Sequence, residues 1–207
     1  PPAARGAVSF TPDTYGRLLD RLLEEYDTAA PAAPPWPVEG VLLRHDVDLI
    51  PAACGRLAEQ EEARGARSCW FFRVDGHYNV LSPDARAVIE RLLDAGHEIG
   101  LHYDCQAPGD LEDAFAVLRQ VAPAAVAITG HRPTLAGADP YRFDPRNPGS
   151  VVGHGYVADS RRTPIRLPDP LPRVLQVNTH PEHYATDLPL AEHYAALADE
   201  LAVSLAA

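Results

Sequence analysis

The strings RHDVD (44–48) and GHEIGLHYD (96–104) deliver two carboxylates, Asp46 and Asp48, and an imidazole, His102, to the ends of short apolar runs. On an extended strand, positions i and i+2 point to one face, so Asp46 and Asp48 can reach a common site. Two carboxylates placed together repel unless a cation lies between them. Oxygen and nitrogen donors of this kind hold a divalent ion, which acidifies water and polarises a carbonyl. The chemistry suggested is metal-assisted hydrolysis. Similar clusters recur along the chain: Asp75 and His77, His131 and Arg132, Asp159 within ADS, and His180 within NTH.

The elements that must position these residues alternate between strand and helix. Thr11 and Pro12 open a helix whose face is Tyr15, Leu18, Leu19, Leu22 and Tyr26. A Pro/Ala stretch at 29–37 breaks it. Strands are expected at Val41 to Arg44, Ser68 to Val74, His97 to Leu101, Ala125 to Thr129, Gly155 to Asp159 and Val174 to Asn178. Helices are expected at 51–64, at 83–95 between Ser82 and Gly96, at 111–121 behind Asp110, and at Pro189 to Leu205. The pattern predicts an α/β fold with a mostly parallel sheet, where chemistry gathers at the carboxyl ends of the strands. Every cluster named above falls on that predicted rim. The Pro-, Gly- and Arg-containing segment 131–173 should form long loops that carry specificity.

Composition narrows the function classes. A chain of 207 residues, 46% hydrophobic, can bury one sizeable core, so a single domain over 1–207 is expected, with 1–40 as an N-terminal helix and linker packed on the rest. The excess of 29 acidic over 18 basic residues gives a net charge of −11, which argues against sequence-independent nucleic-acid binding and makes a neutral or cationic substrate the easier one. No apolar run is long enough to span a membrane, and no signal peptide is legible. Three cysteines, Cys54, Cys69 and Cys105, without CxxC spacing suggest reduced thiols in a cytoplasmic protein. The absence of Met and the opening PPAA suggest a chain trimmed from a longer precursor. A small molecule or a glycan is the expected partner; the sequence says nothing of oligomeric state.

From about Val41 to Leu201, these motifs in order resemble the polysaccharide deacetylases of carbohydrate esterase family 4, the NodB homology domain. The resemblance implies an irregular (β/α) barrel of the NodB type with about seven parallel strands. It also implies a Zn2+-dependent, or other divalent-metal-dependent, deacetylase acting on an N-acetyl or related amide of an amino sugar. In that reading Asp46 is the catalytic base, Asp48 and His102 are metal ligands, and Arg132 in HRP (131–133) pairs with the base. Asp159 tunes the catalytic histidine, and His180 is the general acid.

The chain departs from the family at two points. Its first motif has Val47 between the aspartates, and Gln106 stands where a second histidine is usual. A neutral amide is a poor zinc ligand, so another residue must complete the site: His131 first, with Asp104 and His77 behind it. A degenerate domain that binds a glycan or sugar nucleotide, and a hydrolase of a non-sugar amide, are the alternatives.

The remaining candidates have blander readings. His45 alternates with Asp46 and should face the other way; His97, at a strand start, should be structural. His154 should lie in an exposed turn, and His183 and His193 on the surface, His183 within reach of substrate. Arg73, Tyr78 and Asn79 are weak candidates for a sugar pocket.

Overall fold

The computed structural model describes residues 10–27, 29–106, 109–133, 137–151, 154–185 and 192. Helix α1 (Pro12–Glu25) starts at a reciprocal cap: the Thr11 hydroxyl accepts from the Thr14 amide and Thr14 returns a bond to Thr11. Its buried face, Tyr15, Leu19 and Leu22, packs on α2 (Cys54–Glu62), which follows a 3-10 turn at Pro51–Ala53. Helices α3 (Pro83–Asp94) and α4 (Leu111–Leu118) are capped by Ser82 and Asp110. Gly96, at φ 84°, turns the chain out of α3 in a conformation that suits glycine.

Among the described residues seven strands form one parallel sheet: β1 (Ala29–Pro31), β2 (Gly40–Val47), β3 (Cys69–Phe72), β4 (Glu98–Asp104), β5 (Ile128–His131), β6 (Gly155–Ala158) and β7 (Val174–Thr179). The order is β5-β4-β3-β2-β7-β6, curled into a half-barrel, with β1 beside the first half of β2. β2 is the spine, paired with β7 over Gly40–His45 and with β3 over Arg44–Val47. All eight of its residues are buried, as befits a strand covered on both faces. Among the described residues no helix is long and apolar enough to cross a membrane.

Side-chain parity sorts the chemistry. Arg44 and Asp46 of β2, His102 of β4, His131 of β5 and Asn178 of β7 face one cavity, and Thr129, on the same face of β5, is buried against Asp46 and His102. His45 faces the opposite side, stacked on Trp70 with ring centroids 3.9 Å apart and bonded to Glu61 of α2 at 2.8 Å. Close approach is built in at Gly100, where a Cβ would meet the Phe71 ring at 2.5 Å.

Several boundaries differ from the sequence expectation. The Pro/Ala stretch supplies β1; a proline is tolerated there because Pro31 lies on a short strand beside only part of β2. β4 runs on to Asp104, and β5 begins at Ile128 instead of Ala125 and ends at His131. The expected closing helix, Pro189 to Leu205, lies outside the described residues but for 192.

Candidate active site

Three donor atoms converge where β2, β4 and β5 end. Asp48 Oδ1 lies 3.2 Å from His102 Nε2 and 3.0 Å from His131 Nδ1, and the two imidazole nitrogens are 3.3 Å apart. His102 Nδ1 faces the Thr129 hydroxyl at 2.9 Å and the Thr129 carbonyl at 3.2 Å. Those acceptors fix Nδ1 as the protonated nitrogen and leave a lone pair on Nε2 aimed at Asp48.

The fit to a divalent ion rests on that arrangement. Asp48 Oδ1 is buried and makes no hydrogen bond of proper geometry with either nearby imidazole. Lone pairs pointed at one another in a buried place repel unless a cation joins them. Four ligands at about 2.0–2.1 Å from zinc form a tetrahedron with edges of roughly 3.3 Å, and the three separations here are close to one of its faces.

The other candidates for the third ligand lie elsewhere. Gln106 is exposed, and its backbone N–H donates to Asp104 Oδ1 at 2.8 Å. Asp104 is engaged by Arg73 at 3.3 Å, and His77 is exposed.

Asp46 sits beside the triad, 3% exposed, with Oδ2 3.9 Å from His102 Nε2. The expected partner was Arg132, but the structure places Arg44 there: Nε donates to Oδ1 at 2.7 Å and Nη2 to Oδ2 at 2.6 Å. Asn178 donates to Oδ2 at 2.9 Å, and the Thr129 hydroxyl lies 3.4 Å from Oδ1. Burial opposes ionisation, but the charge of Arg44 and its neighbours brings the Asp46 pKa down to about 2. Arg132 follows His131 with φ 52° and turns its exposed side chain to the cavity mouth. Among the described residues Arg132 makes no ion pair with Asp46; Arg44 occupies that place.

A second cluster stands across the rim. Asp159 is fully buried; its Oδ1 is 2.5 Å from His180 Nδ1, and its Oδ2 accepts from the His180 amide at 2.9 Å. His180 Nε2 is thereby turned inward, 3.9 Å from Asp48 Oδ2. Burial resists charge on His180, but the Asp159 carboxylate outweighs it and lifts the pKa to about 10. His183, expected on the surface, is buried and its Nδ1 lies 3.1 Å from Asp159 Oδ2.

Supports reach the site from behind. Glu182 accepts from the amides of Leu49 and Ile50 at 2.6 and 3.1 Å, pinning the segment after Asp48. Tyr78 is not among the residues lining this cavity; its hydroxyl donates to the Val47 carbonyl at 2.9 Å and accepts from the Arg73 amide. Arg73 is likewise buried, against Asp75 and Asp104, and Asn79 caps the turn at Leu81. His97 is buried against Ser68 and Glu61, away from the cavity. His154 joins the cavity wall, bonded to the Val151 carbonyl. His193 lies outside the described residues.

The cavity over both clusters measures about 890 Å³, enough for a ligand of sugar or sugar-conjugate size. The sequence does not single out Arg44, Asn178 or Thr129 as site residues, and marks His183 only as a surface residue within reach of substrate. For Arg44 the signal was present, because it stands two residues before Asp46 on the same strand face.

No family model matches the sequence, and no curated protein matches it. Among solved structures, the chain is similar to a family 4 carbohydrate esterase from Bacillus anthracis, at 16% identity and a TM-score of 0.43, over 90% of this chain and 86% of that one.

Proposed function

We propose that this protein is a metal-dependent hydrolase that removes an N-acetyl or related acyl group from the amine of an amino sugar or sugar conjugate. The observation that carries the reading is the buried meeting of Asp48 Oδ1, His102 Nε2 and His131 Nδ1 within 3.0–3.3 Å, flanked by a paired carboxylate and a paired histidine. The sugar comes from the ordered resemblance of RHDVD, GHEIGLH, HRP, ADS and NTH to the NodB motifs.

Asp48, His102 and His131 would hold a divalent ion, with zinc suited to one carboxylate and two imidazoles. Such an ion lowers the pKa of water and polarises the amide carbonyl. Asp46 takes the proton of the attacking water. A carboxylate has about four acceptor sites; Arg44 and Asn178 occupy three, and the long Thr129 contact is the one that water displaces. His180, oriented by Asp159, gives its Nε2 proton to the departing amine. Arg132 lines the mouth of the cavity, where the part of the sugar beyond the acyl group would lie.

The test is a metal titration followed by assay of acetate release from N-acetylated amino sugars. The wild type should bind about one zinc and release acetate. Asp48→Ala should lose both properties, whereas Asp46→Asn should keep the metal and lose about 10²–10⁴-fold in rate. Metal binding without acetate release from any such sugar rejects the hydrolase; no metal binding rejects the centre.

A further inference from the structure

The protein as a whole repels anions, with a net charge of −11, yet the mouth of its cavity is arginine-rich. Arg132, Arg142 and Arg162 all line it. The acids of the same cavity have other roles: Asp46 is paired with Arg44, Asp48 belongs to the proposed metal centre with His102 and His131, and Asp139 accepts from the Tyr103 hydroxyl and Asn147. Arg132 and Arg142 have no ion pair with a carboxylate among the described residues, although acids outnumber bases 29 to 18 in the chain. Arg142 rests instead 5.7 Å from the Phe143 ring centroid.

Backbone conformation adds a second observation. Among the described residues the two non-glycines with positive φ are Arg132, at 52°, and Arg162, at 59°. Each follows a strand and a rim residue of the site, His131 or Asp159, and each lines the same cavity. A left-handed conformation costs free energy for a residue of this kind and persists where the surroundings impose it, often at a ligand site. At Arg132 it turns the guanidinium outward, a placement that Arg44 permits by taking over the pairing with Asp46.

We propose that Arg132 and Arg142 bind an anionic group of the substrate, a phosphate or a carboxylate, held at the cavity mouth while the amide lies at the deep end. The inference rests on the hydrolase reading for the amide and adds the charge of the molecule that bears it. Guanidinium groups match both oxyanions, and exposed arginines also raise the rate at which an anion reaches the mouth.

The experiment is calorimetric binding of three probes to the zinc-loaded protein at low salt: N-acetylglucosamine, its 1-phosphate, and N-acetylmuramic acid. The variants are Arg132→Asn, which keeps a residue tolerant of the left-handed region, and Arg142→Gln, alone and combined. At least one anionic probe should bind about tenfold or more tighter than the neutral sugar, and the double variant should reduce that difference to under about twofold. The phosphate and carboxylate arms tell which anion is preferred. Equal binding of all three probes, no binding of either anionic probe, or an advantage that survives in the double variant overturns the proposal. Acetate release is scored separately, so anion discrimination without hydrolysis rejects the hydrolase and keeps the anion site, and hydrolysis without discrimination does the reverse.

Discussion

Arg44 grips Asp46 in a two-pronged ion pair, Nε to Oδ1 at 2.7 Å and Nη2 to Oδ2 at 2.6 Å, with both residues buried in the centre of the sheet. The partners are i and i+2 on one strand, so the pairing is set by strand geometry and needs no long-range docking. Arg44 raises the acidity of Asp46, aims its oxygens, and is itself held in the charged state by that carboxylate.

Removing one partner of this pair leaves a charge stranded in the core. Arg44→Ala should lower stability by about 3–5 kcal/mol, read from urea unfolding. Arg44→Lys keeps the charge but not the fork, so it should fold, retain metal and lose acetate-releasing activity. Full activity in Arg44→Lys contradicts a role for the fork in aiming Asp46.

The composition of the metal centre makes a separate prediction. His131→Ala should weaken zinc binding by more than about 100-fold, and Thr129→Val, which removes the hydroxyl facing His102 Nδ1, by about 10–100-fold. Gln106→Ala should leave zinc affinity unchanged, because Gln106 is exposed and its contact with Asp104 is made by backbone. Competition with a chelator of known affinity measures all three. A large loss in Gln106→Ala would remove His131 from the ligand set.

The sequence made some of this legible and hid the rest for identifiable reasons. Alternation along β2 was enough to aim Asp46 and Asp48 at one cavity and His45 away from it. The same parity extends backwards to Arg44, but nothing local says that its guanidinium will fold onto Asp46. The start of β5 differs because the apolar run from Ala125 to Ile128 reads as strand, while pairing with β4 begins only at Ile128. That offset put His131 beyond the strand instead of within it. Arg132 could not be placed from its motif, since its orientation follows from a positive φ that an arginine seldom adopts. His183 became buried because the 3-10 turn Pro181–Tyr184 wraps back under Asp159, a tertiary contact without periodicity to reveal it.

On the opposite face, Glu61 ties α2 to the sheet and predicts acid sensitivity. It accepts from Tyr15 at 2.5 Å and from Ser68 at 2.6 Å, and faces His45 Nε2 at 2.8 Å. Burial raises the Glu61 pKa, but His45 and these hydrogen bonds outweigh it and bring the value below its ordinary 4.5. A depressed carboxyl contributes stability that is present above 4.5 and lost as pH falls through the folded-state value. His97 has its pKa lowered from 6.5, chiefly by burial, so its contribution is also present above 6.5 and lost on acidification. Unfolding midpoints in urea should therefore begin to fall below pH 6.5, through His97, and fall further below pH 4.5, where the Glu61 share is lost. Glu61→Gln should be less stable at pH 7 by about 1–3 kcal/mol and show a shallower decline; a slope unchanged by the substitution would place the acid sensitivity elsewhere.

Asp159 serves His180 and His183 together, which makes its replacement more informative than that of either histidine. It accepts from the His180 backbone amide at 2.9 Å as well as facing the ring at 2.5 Å, so it fixes both the position of the residue and which ring nitrogen turns inward. Asparagine at this position keeps the size but loses the charge and can present a donor to Nδ1, which favours the wrong tautomer. Asp159→Asn should bind zinc as the wild type does and lose activity by about 10²–10⁴-fold. The residual activity should also change its pH dependence. A general acid works in its protonated form, so activity declines as pH rises through its pKa; without the carboxylate that lifts His180 towards 10, the decline should begin at lower pH. His183→Gln leaves the Asp159 to His180 contact in place and should move that limb much less. An alkaline limb identical in wild type and Asp159→Asn excludes His180 as the proton donor, whatever the loss in rate.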